Sequence, residues 1–213
     1  MLLSRTSRIG GFALMDETRM IEFGTLALVV GPSGSGKDTL IACARRALAG
    51  DERFAFCRRV VTRPAIDALE DHDTLDLAAF TESEQSSRFF LSWRAHGLGY
   101  ALPQPVVDSL CAGRVVIANV SRSVIDAAEA RARNVVVFSI TSRPDVLAER
   151  LAVRGRESAE GVATRLRRSV GVVAACAPVI EIDNSGTVQA AADVLITYLQ
   201  RLAERSPPVE DAR

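Results

Sequence analysis

A glycine-rich stretch between an apolar run and a helical pattern carries the clearest chemistry in this sequence. Its residues are Gly31, Pro32, Ser33, Gly34, Ser35, Gly36, Lys37, Asp38 and Thr39. Where a strand runs through glycines into a helix, successive backbone N–H groups converge on an anion, and the helix N-terminus adds its positive end. The pattern G-x-x-x-x-G-K predicts nucleotide binding, with Lys37 at the β- and γ-phosphates and Thr39 near the α-phosphate. The loop alone predicts nucleotide binding and does not specify the nucleotide.

Asp38 departs from this pattern, because a hydroxyl that contacts Mg²⁺ is expected directly after the lysine. Two interpretations stay open. Its carboxylate holds Mg²⁺, directly or through a water, or it is a favourable charge in the first turn of a helix. A second position is altered too. Near the end of the apolar run 114–120, the neutral Asn119 stands where a metal-supporting carboxylate is expected, and Ser121 and Arg122 lie just beyond the run. The hypothesis is that one carboxylate has moved from the strand end to the loop.

The elements that must position these residues alternate along the chain. Short apolar runs at 25–30, 114–120, 134–140 and 177–183 predict strands, and helical patterns occupy 36–49, 104–112, 122–132, 144–153 and 187–204. Such alternation predicts an α/β fold, in which helices cover both faces of a parallel sheet and ligands bind beyond the carboxyl ends of the strands.

Two segments interrupt this alternation. Residues 57–103 hold several arginines and a glycine-rich stretch, which we interpret as an inserted substrate-binding region, and the arginine-dense residues 154–168 have the character of a lid. The predicted organisation is an N-terminal extension at 1–23, one domain at 24–204 and a loose tail at 205–213. The core of that domain would comprise 24–56, 104–153 and 169–204.

Composition limits the classes of partner. Lysine plus arginine equals aspartate plus glutamate, at 26 each, so net charge gives no reason to expect nucleic acid or an anionic membrane as a partner. The four cysteines are far apart and there are two histidines, which favours neither a zinc site nor a disulfide framework. No apolar run suits a signal peptide or a membrane span, so we expect a cytoplasmic protein, as a monomer or a homodimer.

Five stretches together resemble a known family. They are GPSGSGKDTL (31–40), RRVVTRP (58–64), WRAHGLGYALP (93–103), RGRES (154–158) and IDNSG (182–186). In this order they resemble the guanylate-kinase-like nucleoside monophosphate kinase fold. More closely, they are similar to the ribose 1,5-bisphosphate phosphokinase family, which forms 5-phosphoribosyl 1-diphosphate (PRPP) in phosphonate breakdown. The resemblance covers residues 24–200 and implies a kinase domain that uses ATP, Mg²⁺ and a small phosphosugar substrate.

Departures from guanylate kinase concern the acceptor. Where that enzyme has a serine and a second arginine that help seize GMP, this chain has Arg59 and Ile66, and the tyrosines after the acidic stretch are missing. Its base-reading glutamate is replaced by Ser92, and a hydroxyl cannot accept two donors from a purine edge as a carboxylate does. The resemblance thus implies an acceptor without a base. The expected substrate-binding residues are Arg59, Arg63, Ser92, Tyr100, Asn119 and Arg122; plain core packing is the alternative for Tyr100.

The implied reaction transfers a phosphoryl group to a phosphate oxygen that is already ionised. Such a reaction needs alignment and charge compensation rather than a general base, so His72 and His96 are expected to be supporting or surface residues. The resemblance implies that the lid arginines close over the triphosphate and that Asn184 lies at the adenine edge. With Lys37, the implied catalytic residues are Arg154, Arg156 and Arg165.

Two other functions stay open at this point. A GMP kinase or other nucleoside monophosphate kinase is disfavoured by Ser92 and the missing tyrosines. A catalytically inactive, guanylate-kinase-like protein-binding module is disfavoured because Lys37, Arg154 and Arg156 are retained.

Overall fold

The computed structural model describes residues 20–63, 72–153, 174 and 176–205. Its strands are β1 (Thr25–Val30), β2 (Phe54–Phe56), β3 (Arg59–Val61), β4 (His72–Thr74), β5 (Phe89–Ala95), β6 (Leu98–Pro103), β7 (Val115–Asn119), β8 (Val135–Thr141) and β9 (Val179–Asp183). Its helices are α1 (Lys37–Ala47), α2 (Leu77–Gln85), α3 (Pro105–Cys111), α4 (Ile125–Glu129), α5 (Pro144–Val153) and α6 (Val188–Arg205), and a 3₁₀ turn spans Arg122–Val124.

The central sheet is parallel and runs in the order β2-β7-β1-β8-β9. Successive side chains of a strand point to opposite faces, and both faces of this sheet are apolar. Leu26 and Leu28 of β1 pack on one face with residues of α3 and α4. Ala27 and Val29 pack on the other face with residues of α1 and α6. This burial on both sides explains why β1 is a continuous apolar run.

A second, four-stranded sheet runs in the order β4-β3-β6-β5. Its β5–β6 hairpin turns at His96 and Gly97, whose φ angles of 53° and 74° suit a two-residue turn between twisted strands. One face of the sheet packs on α2 through the buried Phe80. The other face contributes Trp93 and Leu102 to the core that also holds Leu26 and Leu28 of the central sheet. The two sheets therefore share one core.

The predicted α/β fold with helices on both faces of a parallel sheet is confirmed. Four strands of the central sheet lie at the predicted apolar runs, while the edge strand β2 was not predicted. The helix expected at 122–132 is instead a 3₁₀ turn followed by the short α4, because Ser121 caps the turn through a bond from the Ser123 amide. The second sheet lies within the predicted insertion 57–103.

One residue of the predicted N-terminal extension contacts the core. Ile21, in the predicted N-terminal extension, is bound to the core: its amide donates to the Arg131 carbonyl at 2.8 Å. The predicted lid at 154–168 lies outside the described residues, as does the tail beyond residue 205. Within the described ranges, no helix combines the length and the apolar character needed to cross a membrane.

Candidate active site

The glycine-rich loop leaves the carboxyl end of β1 and enters α1 at Lys37. Gly36 has a φ of +89°, and a Cβ at this position would lie closer than 3.0 Å to the side-chain amide of Asn184. A Cβ on Gly31 would similarly collide with the backbone carbonyl of Ile140. Only glycine fits both the backbone angles and this close packing, so the loop is held tightly against the strands behind it.

Lys37 folds back over the start of this loop. Its Nζ donates hydrogen bonds to the carbonyl oxygens of Gly31 and Pro32, both at 2.8 Å. The ammonium group is therefore fixed at the loop on which the backbone N–H groups converge. Ser33 and Thr39 are exposed at the same loop, whereas Ser35 is fully buried.

Asn184, which follows β9, supports the loop from beneath. Its Nδ2 donates to the Ser35 carbonyl at 2.7 Å, and its own amide donates to the Thr141 carbonyl at 2.8 Å. The residue is only 1% exposed, so its side chain faces the loop rather than solvent. The predicted contact between Asn184 and adenine stays a prediction, and the structure assigns this side chain to loop support.

Two polar atoms beside the loop are buried without a protein partner among the described residues. Ser35 Oγ and Asn184 Oδ1 make no hydrogen bond within the described part of the chain. Buried polar groups are almost always paired in folded proteins, because leaving one unpaired costs about 1–3 kcal/mol.

Asp38 and Asn119 meet at the carboxyl edge of the central sheet. Asp38 lies in the first turn of α1 and Asn119 ends β7, and Asn119 Nδ2 donates to Asp38 Oδ1 at 2.6 Å. The Arg59 guanidinium approaches the same oxygen at 3.8 Å. Burial lowers the pKa of Arg59 below its ordinary value, and the Asp38 charge opposes that shift. Since arginine titrates far above neutrality, this group still faces Asp38 as a cation.

Arg59 also lies against an aromatic wall of the second sheet. Its guanidinium carbon is 5.9 Å from the centroid of the Tyr100 ring, within the range of a cation–π contact. Tyr100 in turn stacks on Trp93, with ring centroids 5.5 Å apart and planes 10° from parallel. Arg59 thus lies between this wall and Asp38, with 18% of its side chain exposed. This places the Arg59 cation, backed by the Tyr100 ring, beside Asp38 at the phosphate loop.

Arg63 lies at the last described position before residue 72, and its backbone is fixed. The Thr74 hydroxyl donates to the Arg63 carbonyl at 3.1 Å, and His72 Nε2 lies 3.4 Å from the same oxygen. His72 is buried, in keeping with the expected supporting role. Arg122 begins the 3₁₀ turn just beyond β7, at the same end of that strand as Asn119. Acceptor contacts by Arg63, Asn119 and Arg122 stay predictions.

Ser92 is the exception among the predicted substrate residues, because it lies on the wrong face of the second sheet. Trp93 pairs with Tyr100 on the face that holds Arg59, so Ser92, one residue earlier, points to the opposite face together with its partner Ala101. Ala101 packs there against Phe80 of α2. The structure therefore places Ser92 on the face of the second sheet opposite to Arg59 and Tyr100.

The surroundings of Ser92 account for its polar side chain. The pKa of Glu84 in α2 lies below its ordinary value, chiefly because of a hydrogen bond from Arg94, and a hydrogen bond from Ser92 adds to this effect. Arg94 NH2 lies 2.7 Å from Glu84 Oε2. Ser92 belongs to this surface network on the outer face of the sheet.

Arg150 of α5 is a site residue that the sequence analysis missed. Its NH1 donates to Ser142 Oγ at 3.3 Å and lies 3.8 Å from the place that a Cβ on Gly36 would occupy. This guanidinium therefore borders the phosphate loop. Its spacing could have identified it from the sequence, since Arg150 precedes the predicted lid residue Arg154 by about one helical turn. The expected lid arginines Arg154, Arg156 and Arg165 lie outside the described residues, so their roles stay predictions.

The chain is similar in sequence to several known proteins. No family model matches the chain. A ribose 1,5-bisphosphate phosphokinase of Methylobacterium radiotolerans is 51% identical over 177 residues, which cover 83% of this chain and 98% of that protein. A protein of the same name from Brucella melitensis is 48% identical over 86% of this chain and 95% of its own length. The corresponding protein of Agrobacterium fabrum is 43% identical over 86% of this chain and its full length.

A solved structure supports the fold. The guanylate kinase of Anaplasma phagocytophilum superposes with a TM-score of 0.60 over 84% of this chain and 86% of its own. The two sequences are 16% identical, so the likeness concerns the arrangement of strands and helices alone. The expected guanylate-kinase-like fold is thereby confirmed.

Proposed function

The chain belongs to the ribose 1,5-bisphosphate phosphokinase family, and we propose that it phosphorylates the anomeric phosphate of ribose 1,5-bisphosphate at the expense of ATP. An oxygen of that phosphate attacks the γ-phosphorus, the bond from the γ-phosphorus to the bridging oxygen breaks, and PRPP and ADP leave. This reaction would serve phosphonate breakdown, as expected from the resemblance.

The observation that carries the proposal is the position of Arg59. It reaches Asp38 at the phosphate loop from one side and the Tyr100 ring of the second sheet from the other. An acceptor phosphate bound by Arg59 would lie beside the triphosphate, which supplies the alignment that phosphoryl transfer requires. A phosphate oxygen is already ionised at neutral pH, and this chemistry therefore needs no general base.

Nucleotide binding would fall to the loop Gly31–Thr39 and Lys37. The loop glycines allow the backbone N–H groups to approach the phosphates, and Lys37 would exchange its bonds to Gly31 and Pro32 for the β- and γ-phosphates. Arg150 borders the loop and would add positive charge. We further propose that Arg154, Arg156 and Arg165 close over the triphosphate and exclude water.

The residues present fit a magnesium ion held mainly by the nucleotide. No cluster of three histidine, cysteine, aspartate or glutamate side chains suited to a metal occurs among the residues that the structure describes. Mg²⁺ commonly uses one or two carboxylates together with phosphates and waters. Asp38 supplies one carboxylate at the loop, 36% exposed, and would hold the ion directly or through a water. The ion would offset the negative charge that gathers during transfer.

A panel of acceptors tests the proposal. ADP release should be efficient with ribose 1,5-bisphosphate, while kcat/KM for GMP, AMP and ribose 5-phosphate should be lower by about 100-fold or more. Lys37→Ala is the control that shows whether ADP release comes from this site. It should reduce turnover by about 100- to 1,000-fold without preventing folding, since the lysine stabilises charge in the transition state. Efficient turnover of GMP, with none of ribose 1,5-bisphosphate, would assign the chain to the nucleoside monophosphate kinases instead.

A further inference from the structure

Two departures from the usual P-loop pattern, at positions 38 and 119, complement one another at the carboxyl edge of the central sheet. In P-loop phosphotransferases, the metal is supported by the hydroxyl after the loop lysine and by a carboxylate at the end of a neighbouring strand. Here the hydroxyl position holds Asp38, and the strand end holds the neutral Asn119. Strand β7 pairs directly with β1, with Asn119 opposite Val29, so both positions lie at the same edge of the sheet.

We propose that Asn119 is a positioning residue for Asp38. In this pair, the metal-supporting carboxylate is at position 38 of the loop, and the strand end at position 119 holds a neutral hydrogen-bond donor. Asn119 Nδ2 donates to Asp38 Oδ1 at 2.6 Å across 81 residues of sequence. This bond occupies one carboxylate oxygen and fixes the plane of the group. Among the residues that the structure describes, none bonds to the second oxygen, Oδ2, which is therefore the atom available to an ion or its water shell. The inference rests on the proposed function only in assuming that a magnesium nucleotide binds at the loop.

Charge explains why the pair contains one carboxylate and one amide. Asn119 is buried, and Asp38 is only partly exposed. A second carboxylate at position 119 would bring two negative groups to hydrogen-bond distance in a partly desolvated place, which is unfavourable without a cation between them. Arg59, 3.8 Å from Asp38 Oδ1, offsets a single charge there. With aspartate at 38, residue 119 must therefore be a neutral donor.

A cycle of isosteric variants tests this arrangement. The proteins compared are the wild type, Asp38→Asn, Asn119→Asp and the double variant with both changes. Two quantities are measured: the melting temperature without nucleotide, and the factor by which Mg²⁺ tightens ADP binding in calorimetry. Neither needs an acceptor. Failure of the inference is therefore separable from failure of the proposed function, for which the acceptor panel is decisive.

We expect strong compensation between the two sites. Asn119→Asp should lower the melting temperature by about 3–8 °C in the absence of Mg²⁺, because it places like charges together. Asp38→Asn should reduce the effect of Mg²⁺ on ADP affinity by about fivefold or more. The double variant again holds one carboxylate and one amide, so it should recover most of both losses. A double variant no better than the worse single variant would overturn the proposal.

Two further proteins separate positioning from general structural damage. Asn119→Ala removes the donor without adding charge, so it should weaken the effect of Mg²⁺ on ADP affinity while leaving ADP affinity without Mg²⁺ within about twofold of wild type. An equal loss of ADP affinity in the presence and absence of Mg²⁺ would contradict a positioning role. Asn134→Asp is the matched control, since Asn134 Nδ2 donates to the Gly24 carbonyl at the other end of the central sheet. Its destabilisation should not be rescued by Asp38→Asn.

Discussion

Arg59 and Ser92 lie on the same small sheet but on opposite faces of it, and this gives a test at the scale of single residues. Arg59 faces the phosphate loop, whereas Ser92 contacts the Glu84 network on the outer side. Arg59→Ala should raise the KM for ribose 1,5-bisphosphate by about 10- to 100-fold, because a hydrogen bond to a charged group contributes about 1.5–3 kcal/mol. Ser92→Ala should change that KM by less than about twofold.

Steady-state ADP release at saturating ATP measures both variants, and Arg58→Ala is the control for loss of a cation. Arg58 neighbours Arg59 in sequence but pairs with Asp73 at 2.9 Å, where both side chains are more than half exposed. Such a surface pair contributes little. Parallel effects of Arg58→Ala and Arg59→Ala would mean that general charge, rather than the position of Arg59, governs acceptor binding.

Residue types and spacing predicted local backbone conformation better than they predicted contacts between distant residues. The pattern from Gly31 to Lys37 specifies a backbone conformation locally, so the loop could be predicted. The bond between Asp38 and Asn119 depends on which strands are neighbours, and 81 residues separate its partners. Ser92 was placed in the site by analogy of position, although the alternation of side chains along β5 directs it outward once Trp93 faces the core.

At the scale of elements, the packing of the loop between β1 and α1 can be tested by adding a single methyl group. Gly36 and Gly50 have similar left-handed φ angles, +89° and +83°. A Cβ on Gly36 would collide with the Asn184 amide, whereas a Cβ on Gly50 meets nothing within 4 Å. Alanine at either position suffers the same backbone strain, about 1–2 kcal/mol. The difference in stability between the two variants therefore measures how tightly the loop packs against Asn184, which follows β9.

Gly36→Ala should lower the melting temperature by about 4 °C or more beyond the effect of Gly50→Ala, since overpacking adds about 1–3 kcal/mol. It should also abolish measurable ATP binding, because Asn184 can no longer hold the Ser35 carbonyl. Gly50→Ala should bind ATP like the wild type. Thermal melting and calorimetry provide both readouts. If Gly36→Ala binds ATP normally, then Asn184 does not determine the shape of the loop.

Element lengths account for the four strands of the central sheet that the sequence predicted and for the three shortest strands that it missed. The strands β1, β7, β8 and β9 are apolar runs of five to seven residues, long enough to be recognised. The strands β2, β3 and β4 have three residues each, too few to display a period of two. Their hydrogen-bond partners come from distant segments. The order β2-β7-β1-β8-β9 was likewise beyond prediction, since it depends on tertiary packing of the helices.

At the scale of the whole molecule, the phosphate loop belongs to one sheet and the aromatic wall to another. The shared core that contains Leu26, Trp93 and Leu102 fixes the two sheets relative to one another. Arg59 joins them on the polar side through its approach to Asp38 and Tyr100. A change of charge at Asp38 must therefore alter the availability of Arg59 to an acceptor phosphate.

This link predicts synergy between the nucleotide and the acceptor. If Mg²⁺ binds Asp38 as proposed, the ion offsets the carboxylate charge, and Arg59 would then be released to bind the acceptor phosphate. Calorimetry with ribose 1,5-bisphosphate should thus give a Kd about 5- to 50-fold lower when the non-hydrolysable analogue AMPPNP and Mg²⁺ are present. In Asp38→Asn the acceptor should already bind more tightly without nucleotide, because Arg59 is released by the substitution. Arg58→Ala should retain the synergy of the wild type. Equal acceptor affinity in the presence and absence of magnesium nucleotide, in both the wild type and Asp38→Asn, would show that Arg59 does not couple the two sheets.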